Sequence, residues 1–165
     1  MKDLDIKSIA KKAIQIEAEA VSELKNRIDD VFEDAVKSIL KCSGRLIVTG
    51  IGKSGHICQK IASTMASTGT PSHFVHPSEA LHGDLGMITP NDFCLLISNS
   101  GETSELYDIL AHTRRFGILT GVISSSKNST LIQAADFKLL LPDAPEACTI
   151  GMAPTTSTIL TMALG

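Results

Sequence analysis

The chain has no tryptophan, one tyrosine and no surplus of basic residues, and each shortage removes a class of function. With aromatics at 4% and a net charge of -3, it offers neither a base-stacking platform nor a phosphate-backbone footprint, so nucleic acid is not an expected partner. No apolar run reaches the roughly 18 residues that a membrane helix needs. The opening "MKDLDIKSIAKK" is charged, with no signal-peptide core behind it. A cytoplasmic protein without a membrane partner is the expectation. The four cysteines, Cys42, Cys58, Cys94 and Cys148, are scattered, lack C-x-x-C spacing and lie mostly among apolar residues, as reduced core thiols do. Neither disulfides nor zinc are expected.

What is present fits one compact domain, since 165 residues with 43% hydrophobic content can bury a real core. Residues 3 to 42 contain neither Gly nor Pro, and Ile6, Ile9, Ala13, Ile16, Ala20, Leu24, Ile28, Val31, Ala35 and Ile39 recur at helical steps. This predicts a long amphipathic helix with room for one break. Unbroken it would span roughly 55 Å, more than the width of about 40 Å expected of such a globule, so part of it is expected to pack on another subunit. Residues 1–43 are therefore read as a helical segment preceding a domain at 44–165.

Beyond Gly44 the pattern changes to short apolar runs, "RLIVTG", "SHFVHP", "DFCLLISNS", "GILTGVISSS" and "FKLLLP", separated by helical stretches at 54–68, 78–86, 103–115 and 129–135, with another starting near Thr155. Runs apolar at consecutive positions are strands buried on both faces. The alternation predicts an α/β three-layer sandwich around a five-stranded, parallel, doubly wound sheet. The last helix meets the end of the chain at "TMALG" without a recognisable cap, which reads as a fragment boundary.

The stretch "RLIVTGIGKSGH" places a glycine loop with one lysine at the end of the first strand. It is not a Walker A loop, because Ile47 stands where that motif needs its first glycine. Gly50, Gly52 and Gly55 spell G-x-G-x-x-G, but "SHFVHP" supplies no acid about 20 residues on for a ribose hydroxyl. A smaller phosphorylated molecule remains. In an open parallel sheet, ligands collect at the carboxyl ends of the strands, where helix amino termini point free N–H groups. Four polar loops fall there, "GIGKSG", "SNSGETSE", "SSSKNST" and "APTTST", and are expected to converge on one edge. Ser98, Asn99, Ser100 and Thr103 around Gly101 form a turn of small donors suited to phosphate, although such residues also serve as plain helix caps.

Ionisable groups stand beside these donors: Lys53, His76, Glu79, His82, Glu105 and Glu146. Lys53 is placed to polarise a substrate oxygen or is simply solvated. His82 carries protons or satisfies backbone groups, and Glu105 is a proton carrier or a first-turn acid held by the helix dipole. Glu146 follows a proline in an apolar loop, where desolvation would raise its pKa towards that of a useful base, unless a salt bridge holds it. His56, His73 and His112 read as structural.

"TGIGKSGHICQKIASTMASTGTPSHFVHPSEALHGDLGMI", "ISNSGETSE" and "PEACTIGMAPTTST" together closely resemble the sugar isomerase (SIS) domain of arabinose 5-phosphate isomerases, over nearly the whole chain. S-x-S-G-x-[ST] marks SIS domains in general, whereas G-K-S-G-H, H-P-x-E-A-x-H-G-D-L-G and E-A-C point to this subfamily. The resemblance implies a flavodoxin-like fold and interconversion of D-ribulose 5-phosphate and D-arabinose 5-phosphate, the first step towards the lipopolysaccharide sugar Kdo, with no cofactor or metal. It implies phosphate binding by Gly52, Ser54 and the Ser98, Asn99, Ser100 and Thr103 turn, catalysis by Lys53, His82, Glu105 and Glu146, and a homotetramer. Family members commonly carry a pair of CBS modules, absent here, and a further active-site histidine beyond residue 165. Kdo or CMP-Kdo as an inhibitor in the same pocket is compatible with this reading. The rival readings are a noncatalytic phosphosugar-sensing module, which would keep the serine turn without needing the ionisable cluster, and an isomerase of another phosphosugar.

Overall fold

The computed structural model describes residues 5–165; residues 3 and 4, where the predicted first helix begins, lie outside them. Strands β1 (Leu46–Thr49), β2 (Ser72–Val75), β3 (Phe93–Ile97), β4 (Leu119–Ser124) and β5 (Phe137–Leu140) form one parallel sheet in the order β2-β1-β3-β4-β5. These are the five runs expected from the sequence. Their continuous apolarity has the predicted cause. On one face Leu46, Val48, Phe93, Leu95 and Ile97 share a core with Cys58, Ile61 and Leu160; on the other Ile47, Cys94, Leu96 and Val122 pack with Ile109, Leu131 and Ile132. Successive residues of each strand thus enter opposite layers.

The helices are α1 (Ile6–Leu24), α2 (Asp30–Lys41), α3 (Gly52–Ser67), α4 (Pro77–Leu81), α5 (Tyr107–Phe116), α6 (Thr130–Ala134) and α7 (Thr156–Leu164). The amino-terminal helix does break once. A 3-10 turn at Lys25–Arg27 leads to an extended Ile28, and the Asp29 carboxylate then accepts the Phe32 N–H at 3.1 Å, starting α2 afresh with Asp30 and Glu33 in its first turn. The break folds the segment back, so that α1 packs on α7 and α2 on β5. Ile6, Ile14 and Leu40 remain exposed, at 71%, 66% and 74%; the expected contact with a neighbouring subunit would fall on this surface. Two other helices are shorter than predicted. The 78–86 stretch splits at Gly83 into α4 and a 3-10 turn at Asp84–Met87, and the 103–115 stretch starts as a 3-10 turn at Ser104–Leu106 before α5.

Cys58 and Cys94 lie in the two opposite cores, and burial pushes each thiol up to about 12. Cys42 and Cys148 are only half-buried, so the cysteines are less uniformly core residues than expected.

At the amino-terminal edge of the sheet, Asp92 is 5% exposed and locks two loops together. Its carboxylate accepts the Arg45 N–H at 2.7 Å, the Thr89 N–H at 2.7 Å and the Thr89 hydroxyl at 3.0 Å. Burial pushes the Asp92 pKa up, but these donors and the Arg45 charge outweigh it, leaving the group below its ordinary value. Asp92→Ala orphans two backbone donors and is expected to cost about 3 kcal/mol. For a chain of this size that lowers Tm by about 6–12 °C in a thermal melt. Because the folded pKa is depressed, the contribution is complete above the unfolded value of about 3.9 and fades as pH falls through the folded one. The gap in Tm between wild type and variant should therefore narrow below about pH 4.

Candidate functional site

The strand order changes direction between β1 and β3, because β1 continues into a neighbour on one side and β2 crosses to a strand on the other. A crevice opens at the carboxyl ends of two such strands. Here it is a cleft of about 350 Å³ lined by Ile51, Lys53, Ser54 and Ile57 after β1, by Ile97 to Ser100 and Thr103 after β3, and by Pro154, Ser157, Thr158 and Thr161 from α7 and the loop before it.

The first wall is the amino terminus of α3. Gly55 N–H bonds back to Ile51 O at 3.2 Å, which leaves the N–H groups of Gly52, Lys53 and Ser54 as the helix's unpaired donors. The three-glycine spelling of this loop has a packing origin. A Cβ on Gly50 would lie 2.8 Å from the Cys58 sulfur and 2.9 Å from Ile97 O, and one on Gly55 would lie 2.8 Å from Gly50 O, so these two glycines let α3 start hard against the sheet.

The second wall is the serine turn. Gly101 N–H donates to both Ser98 O (3.1 Å) and Ser98 Oγ (3.0 Å), and Ser98 Oγ pairs with Thr103 Oγ1 at 2.7 Å. Ser98 is 3% exposed and much of its bonding capacity goes into the turn itself. Asn99 and Ser100 are exposed, and Ser100 Oγ accepts the Glu102 N–H at 3.2 Å while keeping its own proton to donate. The turn is braced from behind, where Asn99 O accepts from Ser124 Oγ (3.0 Å), Ser125 Oγ (2.7 Å) and Ser125 N–H (3.1 Å).

Of the four loops expected to converge, three line the cleft. The fourth, "SSSKNST", forms that brace, and its outer residues line a separate cavity with Arg27 and Asp143. Of the predicted phosphate residues, Ser54, Ser98, Asn99, Ser100 and Thr103 line the cleft, and Gly52 opens α3 beside it. Of the predicted catalytic residues only Lys53 does. It is exposed and takes part in none of the salt bridges among the described residues. His82 is the exposed carboxyl-terminal cap of α4, outside the cleft. Glu105 lies in the 3-10 turn before α5, which packs on α4; its own backbone N–H and the Ser104 hydroxyl at 2.9 Å hold its pKa below the ordinary value.

Glu146 corrects the sequence reading. Burial raises its pKa, as expected, but hydrogen bonds from Ser157 and Thr155 outweigh burial and the net shift is downward. Its Oε2 accepts Thr155 N–H (2.6 Å), the Thr155 hydroxyl (3.0 Å) and Ser157 N–H (3.3 Å), so the carboxylate caps the start of α7. Oε1 makes no hydrogen bond among the described residues. The side chain lines a neighbouring cavity of about 320 Å³ with Ile9, Lys12 and Ala13 of α1. Glu146 and the cleft therefore flank the same first turn of α7.

His112 is structural, as expected, with Nε2 3.2 Å from Ile88 O. His76 caps α4 by accepting the Ser78 N–H on Nδ1 at 3.2 Å. Sequence reasoning missed Ser157, Thr158 and Thr161, although "APTTST" pointed to their neighbourhood. Among the described residues no group of three or more His, Cys, Asp and Glu is arranged to hold a metal, and no helix is long and apolar enough to cross a membrane.

A parallel sheet with an anion-receiving cleft at its switch point defines a phosphosugar-binding class, and the family comparison agrees: the SIS domain matches residues 39–165, so the chain belongs to the SIS family. Within that family it is 48% identical over 162 residues to the arabinose 5-phosphate isomerase KdsD of Yersinia pestis and 45% identical over 161 residues to that of Escherichia coli K12. Each alignment takes in 98% of this chain and 49% of the relative, so the chain spans about half the length of the curated relatives it matches. Among solved structures, E. coli CFT073 c3406 in complex with arabinose 5-phosphate superposes with a TM-score of 0.90 at 38% identity, covering 98% of this chain and 86% of that one. A putative phosphosugar isomerase involved in capsule formation from Bacteroides fragilis gives 0.87 at 43% identity, covering 95% and 83%.

Proposed function

We propose that the chain is the isomerase domain of an arabinose 5-phosphate isomerase, interconverting D-ribulose 5-phosphate and D-arabinose 5-phosphate through an enediol, in the cytoplasm, as the first step towards Kdo. The observation that carries this reading is the cleft itself, where the unpaired amino terminus of α3, a turn of hydroxyls and the Lys53 ammonium share one wall line. The donors take the phosphate. Isomerisation then needs a base to remove a proton from C1 of the ketose and return it to C2, and a group to stabilise the oxygen that becomes negative between these steps. Lys53 stabilises that oxygen. Glu146, ionised at neutral pH and anchored through Oε2, offers Oε1 as the carbon base, with the substrate reaching past the first turn of α7. His82 and Glu105 relay hydroxyl protons or open the ring. A homotetramer would cover the exposed apolar positions of α1 and α2, and Kdo or CMP-Kdo would act as a feedback ligand in the same cleft.

The test is to supply D-ribulose 5-phosphate to the chain in heavy water and follow it by NMR. D-arabinose 5-phosphate carrying deuterium at C2 is expected. Binding without turnover would move the reading to a sensing module, and neither binding nor turnover would overturn it. Glu146→Gln separates the base from the cap, because an amide oxygen still accepts the Thr155 N–H but takes up no proton from carbon. Turnover should fall by about 10²-fold or more with Tm unchanged. An unaltered rate would leave Glu146 as a helix cap.

A further inference from the structure

Glu102 belongs to none of the roles above, yet it makes two of the longest-range contacts of the serine turn. It is the residue after Gly101, and its two carboxylate oxygens go to different elements. Oε1 accepts the Thr130 N–H at 2.8 Å, and Oε2 accepts the Tyr107 hydroxyl at 2.7 Å. Thr130 opens α6 and Tyr107 opens α5, so one carboxylate ties the turn to the first residues of the two helices beside it. Gly101 O completes the join by accepting the Leu131 N–H at 3.1 Å. With Asn99 O held by Ser124 and Ser125, the turn is fixed at both ends and its exposed residues, Asn99 and Ser100, are presented on a rigid frame.

We infer that Glu102 is the positioning residue of the phosphate turn: by bridging Thr130 and Tyr107 it holds Ser98 to Thr103 in the shape that receives an anion, without touching the ligand itself. This rests on the phosphate reading of the cleft. The argument is one of preorganisation. A turn already fixed loses little freedom on binding, whereas a loosened one must be ordered by the ligand, and that cost appears as weaker affinity. The effect should fall on the phosphate and not on the chemical step, because the contacts of Glu102 run away from the cleft and Lys53 lies on the opposite wall.

The experiment measures binding of inorganic phosphate and of D-arabinose 5-phosphate by titration calorimetry, with unphosphorylated D-arabinose as the control, together with steady-state kinetics. Glu102→Ala is expected to weaken phosphate and the phosphosugar by about tenfold, which is about 1.4 kcal/mol, and to raise KM in step while kcat changes less than about twofold. Glu102→Gln is expected to restore affinity to near wild type, since its amide oxygen accepts from Thr130 and its amide nitrogen can donate to the Tyr107 oxygen. Tyr107→Phe, which removes one bond and leaves the fold's packing intact, supplies the same reading if Glu102→Ala does not fold, with about threefold weaker phosphate binding expected. Wild-type affinity in Glu102→Ala or Tyr107→Phe, or failure of Glu102→Gln to rescue a folded Glu102→Ala, overturns the role of Glu102 alone. If the wild-type chain binds neither phosphate nor the phosphosugar, the phosphate reading of the cleft fails and the inference falls with it.

Discussion

Gly101→Ala is expected to destabilise the chain by about 2–5 kcal/mol, combining the strain of a positive φ with the crowding of a packed site, and to abolish phosphate binding. Gly101 has φ +67, and a Cβ there would stand 1.9 Å from Ser129 Oγ and 2.4 Å from Ser129 Cβ. Ser129 cannot easily step aside: it is 1% exposed and its hydroxyl donates to Ser126 O at 2.8 Å. The backbone of the serine turn must move instead, and with it the donors of the cleft. Gly117→Ala is the control, because Gly117 has φ +66 but nothing within 4 Å of its Cβ position. That variant should cost only the conformational part, about 1–2 kcal/mol. Thermal melts of the two, with phosphate titrations alongside, separate strain from crowding. Equal losses, with phosphate binding intact in both, would mean that the turn adapts and that its shape is not what binds phosphate.

That prediction rests on a contact between residues far apart in sequence, which marks the boundary of what the chain reveals by pattern. The five strands were legible because burial on both faces forces apolar residues at consecutive positions, and nothing else in the chain looks like that. The serine turn was legible because small hydroxyl residues at the end of a strand have few other uses. The break between α1 and α2 was only half visible: with no Gly or Pro there, the signal is Asp29 as a cap, set within a run whose helical period hardly falters. Glu146 shows a different limit. Its apolar, proline-led surroundings did argue for burial, and burial does raise its pKa, but the donors that reverse the shift come from Thr155 and Ser157. Whether such donors close on a carboxylate is decided by how the 147–154 loop returns, and no local spacing encodes that. Glu102 is the same case in reverse, a residue that reads as a solvated acid until α5 and α6 are placed beside it. The fourth loop was misassigned for a related reason. Its serines face the back of the turn and not its mouth, and the two faces of a loop carry the same composition.

Lys53→Ala should lower turnover by about 10²–10³-fold, or about 2.7–4 kcal/mol of transition-state stabilisation, while phosphate affinity changes less than about threefold. The separation follows from where the donors are. The anion is held by the N–H groups at the start of α3 and by the hydroxyls of the opposite turn, none of which needs the lysine side chain. The ammonium is the one cation lining the cleft and is free of carboxylate partners within 4.0 Å among the described residues, so its charge is available to an oxygen that becomes negative only during reaction. The size of the loss also reads the state of the cleft. At about 4 Å a unit charge pair is worth about 1 kcal/mol in water but about 4 kcal/mol at the effective dielectric of a partly closed protein site. A loss nearer tenfold would therefore mean that the cleft stays wet during the reaction. Lys53→Arg should recover little, because a planar guanidinium on a longer stem does not place a compact charge at the same point. Should Lys53→Ala instead raise KM and the phosphate Kd together with kcat unchanged, the lysine is a phosphate ligand, and stabilisation of the enediolate must come from another group.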